Sequence, residues 1–202
     1  MPKQLEYSID DWNLEYTRGS YRNKWDSSMP TPDLVATISA LGLSPGTFAL
    51  DLGCGAGSES LYLAKKGFKV TAIDCSSAAI GIARSRALLS ELDVHFYIAS
   101  VLELPLADST IDFAIDRGCL HSLPKGNWTR YSGELARVLR SGGYALLRGC
   151  SDPSIEAFSH LSSDTIHAYF DTNVFHHIAV EPIQLCTAHG HINATLALLQ
   201  KR

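Results

Sequence analysis

Apolar and polar positions alternate along the middle of this chain with two different periods. Short apolar runs bounded by turn residues predict strands at 47–52, 69–74, 94–99, 111–116 and 144–149. Helical spacing between them predicts helices at 58–65, 77–89 and 128–139, with a weaker one around 155–170. Ser76 or Ser77 can cap the second helix, and Ser141-Gly142-Gly143 reads as the glycine stop of the third. Strand–helix alternation implies right-handed βαβ units and a mostly parallel sheet. The tail changes character. Segments 175–188 and 192–200 read as two strands around His189-Gly190-His191, a hairpin. Residues 1–46 differ again. An aromatic-rich arm with Tyr7, Trp12, Tyr16, Tyr21 and Trp25 precedes a helix over 31–41, capped by Thr31 with Pro32 at its first position.

One junction carries chemistry. Phe48-Ala49-Leu50-Asp51-Leu52-Gly53-Cys54-Gly55-Ala56-Gly57-Ser58 reads as a buried strand, a glycine loop and a helix N-terminus. Glycine admits positive φ and lets a ligand approach the backbone, so the loop N–H groups and the helix dipole face a bound molecule. A dinucleotide fingerprint, G-x-G-x-x-G/A, would need Gly or Ala where Ser58 stands; here the extra glycine is Gly57. Asp51, two residues before the first glycine, would repel a pyrophosphate and suits a cationic amino-acid moiety. A purely structural turn is the bland alternative. Asp74 ends the second strand, where a carboxylate can accept two hydrogen bonds from a ribose diol.

Composition narrows the classes. The chain has 202 residues, 46% hydrophobic and 19% charged, which suits one domain with a sizeable core. Net charge is −4 and Lys and Arg are scattered, so there is no footprint for nucleic acid. No apolar run is long enough to span a bilayer, and Met1-Pro2-Lys3-Gln4 does not open a signal peptide. Five cysteines without a Cys-x-x-Cys pair point to reduced thiols in a cytoplasmic protein, with no disulfide framework and no zinc site. The histidine pairs His176/His177 and His189/His191 read as surface residues, and His160 and His167 form no metal-ligand pattern.

Asp51-Leu52-Gly53-Cys54-Gly55-Ala56-Gly57 resembles the first motif of class I S-adenosylmethionine-dependent methyltransferases. The resemblance covers roughly residues 45–150. It implies a doubly wound α/β fold: a seven-stranded Rossmann-like sheet, parallel except for an antiparallel strand of the C-terminal hairpin, with helices on both faces. It also implies one domain over 1–202, made of an arm and helix (1–46), a cofactor-binding core (47–150), and a lid, helix and hairpin (151–202). The lid would come from 150–164. Asp51, Gly53, Gly55 and Gly57 would then hold the methionine portion and Asp74 the ribose, with Cys54 and Cys75 as small fillers beside them. Ser100 stands where many members carry an Asp that binds adenine; Ser100, Val101 and Leu102 would face the ring, without charge assistance.

The loop after the fourth strand, Asp116-Arg117-Gly118-Cys119-Leu120-His121, lies where open α/β sheets place their ligands. His121 is the candidate base, or else a contact residue. Asp116 could orient cofactor or substrate. Arg117 could clamp an anionic substrate or pair with Asp116. The amino-methylating signature Asn/Asp-Pro-Pro-Tyr/Phe and the Pro-Cys nucleophile of cytosine enzymes are missing from this loop. The arm residues Trp12 and Tyr16, segment 25–32 and Asp116-Arg117-Gly118 resemble the thiopurine, thiol and halide methyltransferase group. That likeness implies that Trp12, Tyr16 and Trp25 close over the cofactor, where aromatic faces would also favour a sulfonium. The expected reaction is methyl transfer from S-adenosylmethionine, yielding S-adenosylhomocysteine, to a small thiol, chalcogen or related soft nucleophile. An O-methyltransferase of a small hydroxylated metabolite, and a cofactor-binding module without transfer, are the alternatives. Oligomeric state is not readable from the sequence.

Overall fold

A computed structural model of the chain describes residues 7–27, 29–187 and 190–202. The elements run α1 (Ile9–Arg18), a 3-10 turn (Ser20–Asn23), α2 (Pro32–Ala40), β1 (Phe48–Leu52), α3 (Ser58–Lys65), β2 (Lys69–Asp74), α4 (Ser77–Leu89), β3 (Val94–Ile98), β4 (Ile111–Arg117), α5 (Trp128–Val138), β5 (Leu139–Cys150), α6 (Ser163–Tyr169), β6 (Phe175–Thr187) and β7 (Gly190–Lys201). The strands form one seven-stranded sheet in the order β3-β2-β1-β4-β5-β7-β6. Strands β1 to β5 pair parallel, and β7 runs antiparallel to both β5 and β6. This is the doubly wound sheet with an antiparallel closing strand that the sequence predicts. Residues 188 and 189, at the predicted hairpin tip, lie outside the described residues.

Local chemistry explains the boundaries. Helix α1 sits inside the aromatic arm and starts at a capping box: Ser8 Oγ accepts from the Asp11 N–H, and the Asp11 carboxylate accepts from the Ser8 N–H. Gly19 ends it in a left-handed C-cap. Ser76 Oγ, the first of the two predicted caps, accepts from the Ala79 N–H to start α4. Helix α5 buries Trp128, Tyr131, Leu135 and Val138, an apolar stripe about three turns long against the sheet. It is not stopped by Gly142: Leu139 turns extended and pairs with Ile111, so β5 begins at once. Gly142 and Gly143 fall where the β4–β5 register shifts instead. A Cβ on Gly143 would come 2.9 Å from the Arg140 carbonyl oxygen. The predicted helix over 155–170 shrinks to α6, because the Ser162/Thr165 capping box sets its start.

Each face of the sheet has its own core. One gathers Leu50, Leu52, Trp128, Tyr131, Phe170 and Phe175; the other gathers Leu34, Leu63, Phe68, Phe113 and Ile115. Neighbouring β1 and β4 connect outward in opposite directions, which makes their carboxyl ends the topological switch point. The glycine loop and the 116–122 loop therefore meet there.

Candidate active site

Three glycines make the floor. Gly53, Gly55 and Gly57 have φ of +67°, +54° and +86°, where side chains are strained. A Cβ on Gly53 would come 2.5 Å from Cys119 Cβ, and one on Gly55 would come 2.5 Å from the Tyr16 hydroxyl. So the 116–122 loop closes on one side of the glycine loop and the arm on the other. Between them lies a narrow cleft, open to solvent, with Tyr16, Trp25, Asp51, Gly55, Glu59 and Arg117 on its walls.

Two carboxylates are built into the floor. Asp51 is buried and accepts from Ser60 Oγ at 2.5 Å. Burial pushes its pKa up to about 7 against the help of Ser60, and nearby Glu59 pushes the same way. Asp74 accepts from the Gly55 N–H and the Ser76 N–H, both at 2.8 Å, and thereby ties the glycine loop to the end of β2. Burial outweighs these bonds and raises its pKa. Each oxygen keeps a lone pair for a ligand hydroxyl.

The arm is fastened at four places. Asn13 Oδ1 accepts from Ser76 Oγ and the Ala78 N–H. Asp26 takes both terminal nitrogens of Arg86, at 2.9 and 2.7 Å, and accepts from Ser58 Oγ. Arg117 donates to the Trp25 carbonyl, and the Thr31 N–H donates to Glu59. Trp25 Nε1 donates to the Tyr16 hydroxyl at 3.1 Å. Tyr16 and Trp25 thus reach the cleft, while Trp12 stacks behind, on Tyr7 and edge-on to Trp25.

The loop after β4 is organised by Asp116, whose oxygens accept from the Gly118, Cys119 and Leu120 N–H groups and from the Tyr131 hydroxyl. Its pKa is still pushed up to about 6 by burial. Arg117 pairs with Glu59 at 3.3 Å, which corrects the expected Asp116 partner: Asp116 faces inward, where its four donors lie. His121 stacks on Phe158 at 4.0 Å, and its Nδ1 accepts from the Cys150 N–H at 2.6 Å. That bond fixes the proton on Nε2, which faces Gly118. The ring therefore has no free lone pair, and burial with Arg148 nearby pushes its pKa down to about 4. With Nδ1 taken by the Cys150 N–H, His121 offers a hydrogen-bond donor at Nε2, which suits the contact role that the sequence left open beside that of a base.

Other candidates are placed further out. Ser100 Oγ accepts from the Leu102 N–H, Val101 is buried in the core, and Leu102 packs against the same cluster. All three follow β3, off the cleft walls. Burial pushes the Cys75 thiol up to about 11 and raises the Cys54 and Cys119 thiols, so all three are poor nucleophiles. The four described cysteines are free. His177, expected at the surface, is half-buried with Nε2 on the Phe170 carbonyl. His189 lies outside the described residues. Among the described residues no helix is long and apolar enough to cross a membrane. Sequence reasoning missed Asn13, Asp26, Glu59, Ser60 and Tyr131. Glu59 and Ser60 had a signal: polar residues in the first turn after a glycine loop face the strand end.

These residues fit S-adenosylmethionine. The glycine floor has no room for side chains, a buried carboxylate awaits a cation, and a second one keeps lone pairs at the end of β2. Comparison with known proteins agrees. The family profile described as "Methyltransferase domain" matches residues 49–143. An uncharacterised methyltransferase of Schizosaccharomyces pombe is 31% identical over 103 residues, 51% of this chain and 71% of that protein. An O-methyltransferase of Pyrenophora dematioidea is 32% identical over 136 residues, 62% of this chain and 50% of that one. Among solved structures, one described under the conversion of a disulfide bond into a thioacetal group during echinomycin biosynthesis superposes with a TM-score of 0.82. It is 24% identical, and the match covers 96% of this chain and 92% of that one. With glycine loop, sheet order and sequence kinship in agreement, the chain belongs to the class I S-adenosylmethionine-dependent methyltransferases.

Proposed function

We propose that this enzyme methylates a small thiol, chalcogen or other soft nucleophile. The observation that carries the reading is that, apart from Asp51 and Asp74, which the cofactor would occupy, the basic side chains around the cleft are already engaged. His121 spends its lone pair on the Cys150 N–H, Asp116 accepts four hydrogen bonds, and Glu59 holds Arg117 and the Thr31 N–H. A hydroxyl acceptor needs its proton removed as it attacks, and an amine acceptor must reach the site as the neutral base. A thiolate or selenolate arrives already deprotonated and needs only alignment and dehydration. The likeness of segment 25–32 and Asp116-Arg117-Gly118 to the thiopurine, thiol and halide group supports the same reading.

Bound S-adenosylmethionine supplies an activated methyl group on a sulfonium; transfer breaks that S–CH3 bond and makes one to the acceptor. The chain's residues do the rest. Asp51 would hold the ammonium, Gly53, Gly55 and Gly57 would present N–H groups, and Asp74 would accept from the ribose. Ser100 and the Val101 and Leu102 backbone would border adenine. Tyr16 and Trp25 would exclude water and offer ring faces to the positive sulfur. Asp116 would keep the 116–122 loop in shape, and His121 Nε2 would donate to the acceptor or to that loop.

O-methylation is the second reading, favoured by the O-methyltransferase relative. The test is turnover of paired acceptors of equal size, 2-mercaptoethanol and ethylene glycol, followed as S-adenosylhomocysteine formed. Faster turnover of the thiol supports the first reading; turnover of the diol alone replaces it.

A further inference from the structure

The cleft over the glycine loop has room for only a few water molecules, far less than a small-molecule site encloses. One of its walls must move for a cofactor to enter. The core wall is pinned. Asp74 ties the glycine loop to β2, and Asp116 gathers the 116–122 loop through the bonds it accepts. The arm wall is held differently. Helix α1 buries Tyr16 alone of its ten residues, and the Tyr16 hydroxyl lies 2.5 Å from where a Cβ on Gly55 would stand. Most other holds on the arm are polar. Asn13 Oδ1 accepts from Ser76 Oγ and the Ala78 N–H. Asp26 takes Arg86, and Arg86 also donates to the Ala56 carbonyl, on the glycine loop itself, at 3.2 Å. Water already reaches this pair, since the side chains of Arg86 and Asp26 are 32% and 13% exposed. Segments with few buried apolar contacts are the first to open. The closed arm also carries a penalty. Tyr21, in the turn after α1, is fully buried, and its hydroxyl has no hydrogen-bond partner among the described residues. Lifting the arm returns that hydroxyl to water.

We propose that residues 9–27 form a latched gate: they close on the glycine loop before the cofactor arrives, and release of the Asp26–Arg86 latch sets how fast the cofactor enters and leaves. Tyr16 and the cofactor compete for the space above Gly55, so entry follows opening. The Asn13 bonds let go with the latch. The Thr31 N–H on Glu59 and the buried Leu34 of α2 keep the following chain on the core. With the cofactor inside, the same latch holds Tyr16 and Trp25 over it. The unpaired Tyr21 hydroxyl offsets part of the latch, which keeps the closed and open states near in free energy.

The gate rests on S-adenosylmethionine being the cofactor, and its test separates the two. The full chain is mixed with rising S-adenosylhomocysteine in a stopped-flow instrument, and binding is followed by the fluorescence of the arm tryptophans Trp12 and Trp25. The observed rate should level off at high ligand, because opening limits it. Asp26→Asn should raise that ceiling about fivefold, the worth of one partly exposed ion pair. Tyr21→Phe, which removes the unpaired hydroxyl and so favours the closed arm, should lower it severalfold. Asn13→Ala, which frees the other hold, should also raise the ceiling and stands in if Asp26→Asn does not fold. A rate that climbs linearly with ligand, or a ceiling that the arm variants lower or leave unmoved, overturns the gate and leaves the cofactor reading intact. Calorimetric titration that finds no binding to wild type or variants overturns the cofactor reading and the gate with it.

Discussion

Asp51→Asn isolates the burial of one charge. The carboxylate is buried under the glycine loop with Ser60 Oγ as its hydrogen-bond donor, and its pKa is pushed up from 3.8 to about 7. The unfolded chain loses this proton near the ordinary aspartate value, whereas the folded chain keeps it to about neutrality. Over that window the folded state binds more protons, so stability falls as pH rises and is lost by the time pH passes the folded pKa. At 1.36 kcal/mol per unit, the full contribution is about 4 kcal/mol, of which roughly 3 kcal/mol falls between about pH 5 and pH 8. Asparagine keeps the shape and the Ser60 contact and does not ionise. Denaturant melts of both proteins at the two pH values give the difference between them, in which other groups cancel. Asp116 shares the Asp51 slope, and His121, with its lowered pKa, opposes it. The variant should gain roughly 3 kcal/mol over wild type on going to the higher pH, or about 6–12 °C in melting temperature. In the same variant, S-adenosylhomocysteine affinity should drop about tenfold or more, because the ammonium loses its charged partner. Parallel pH profiles for the two proteins would refute the burial argument, and undiminished affinity would remove Asp51 from the ammonium.

Other substitutions probe other joints. Asp74→Ala should cost about 1–3 kcal/mol of stability by stranding the Gly55 and Ser76 N–H groups, and should weaken S-adenosylhomocysteine binding by at least ~1.5 kcal/mol; melts and calorimetry read both. Gly55→Ala forces a Cβ onto the Tyr16 hydroxyl at positive φ, so cofactor affinity should fall while far-UV circular dichroism stays native. Asp26→Asn, which breaks the Arg86 pair, should cost about 1 kcal/mol and speed amide exchange in α1 without changing exchange in β1. His121→Asn should lower the rate yet leave the shape of the rate–pH profile near the ordinary imidazole pKa unchanged, because the ring carries no titrating lone pair there.

The parallel strands and the glycine loop were legible because they are dictated locally. Apolar runs mark buried strands, and positive φ at Gly53, Gly55 and Gly57 admits few other residues. The hairpin was legible as two apolar runs around a short polar stretch, although Gly190 and His191, read as turn, pair within β7. Helix α1 was not, since Tyr16 is its only buried residue and the apolar stripe is too thin to show a period. Its Ser8–Asp11 capping box and Gly19 stop were the available signals. The start of β5 was misplaced because Ser141-Gly142-Gly143 looks like a helix stop, and only pairing with β4 reveals a register shift. The site residues at strand ends were named correctly as positions and less well as roles. Whether Arg117 meets Asp116 or Glu59, and whether His121 keeps a lone pair, depends on groups distant in sequence: Glu59, Tyr131 and the Cys150 N–H.

The most direct test of the account is mass-spectrometric counting of products after incubation with S-adenosylmethionine and a small thiol. The account predicts S-methylated thiol and S-adenosylhomocysteine in equal amounts, with neither formed when the thiol is omitted. S-adenosylmethionine that binds and stays intact, whatever thiol is present, would contradict it.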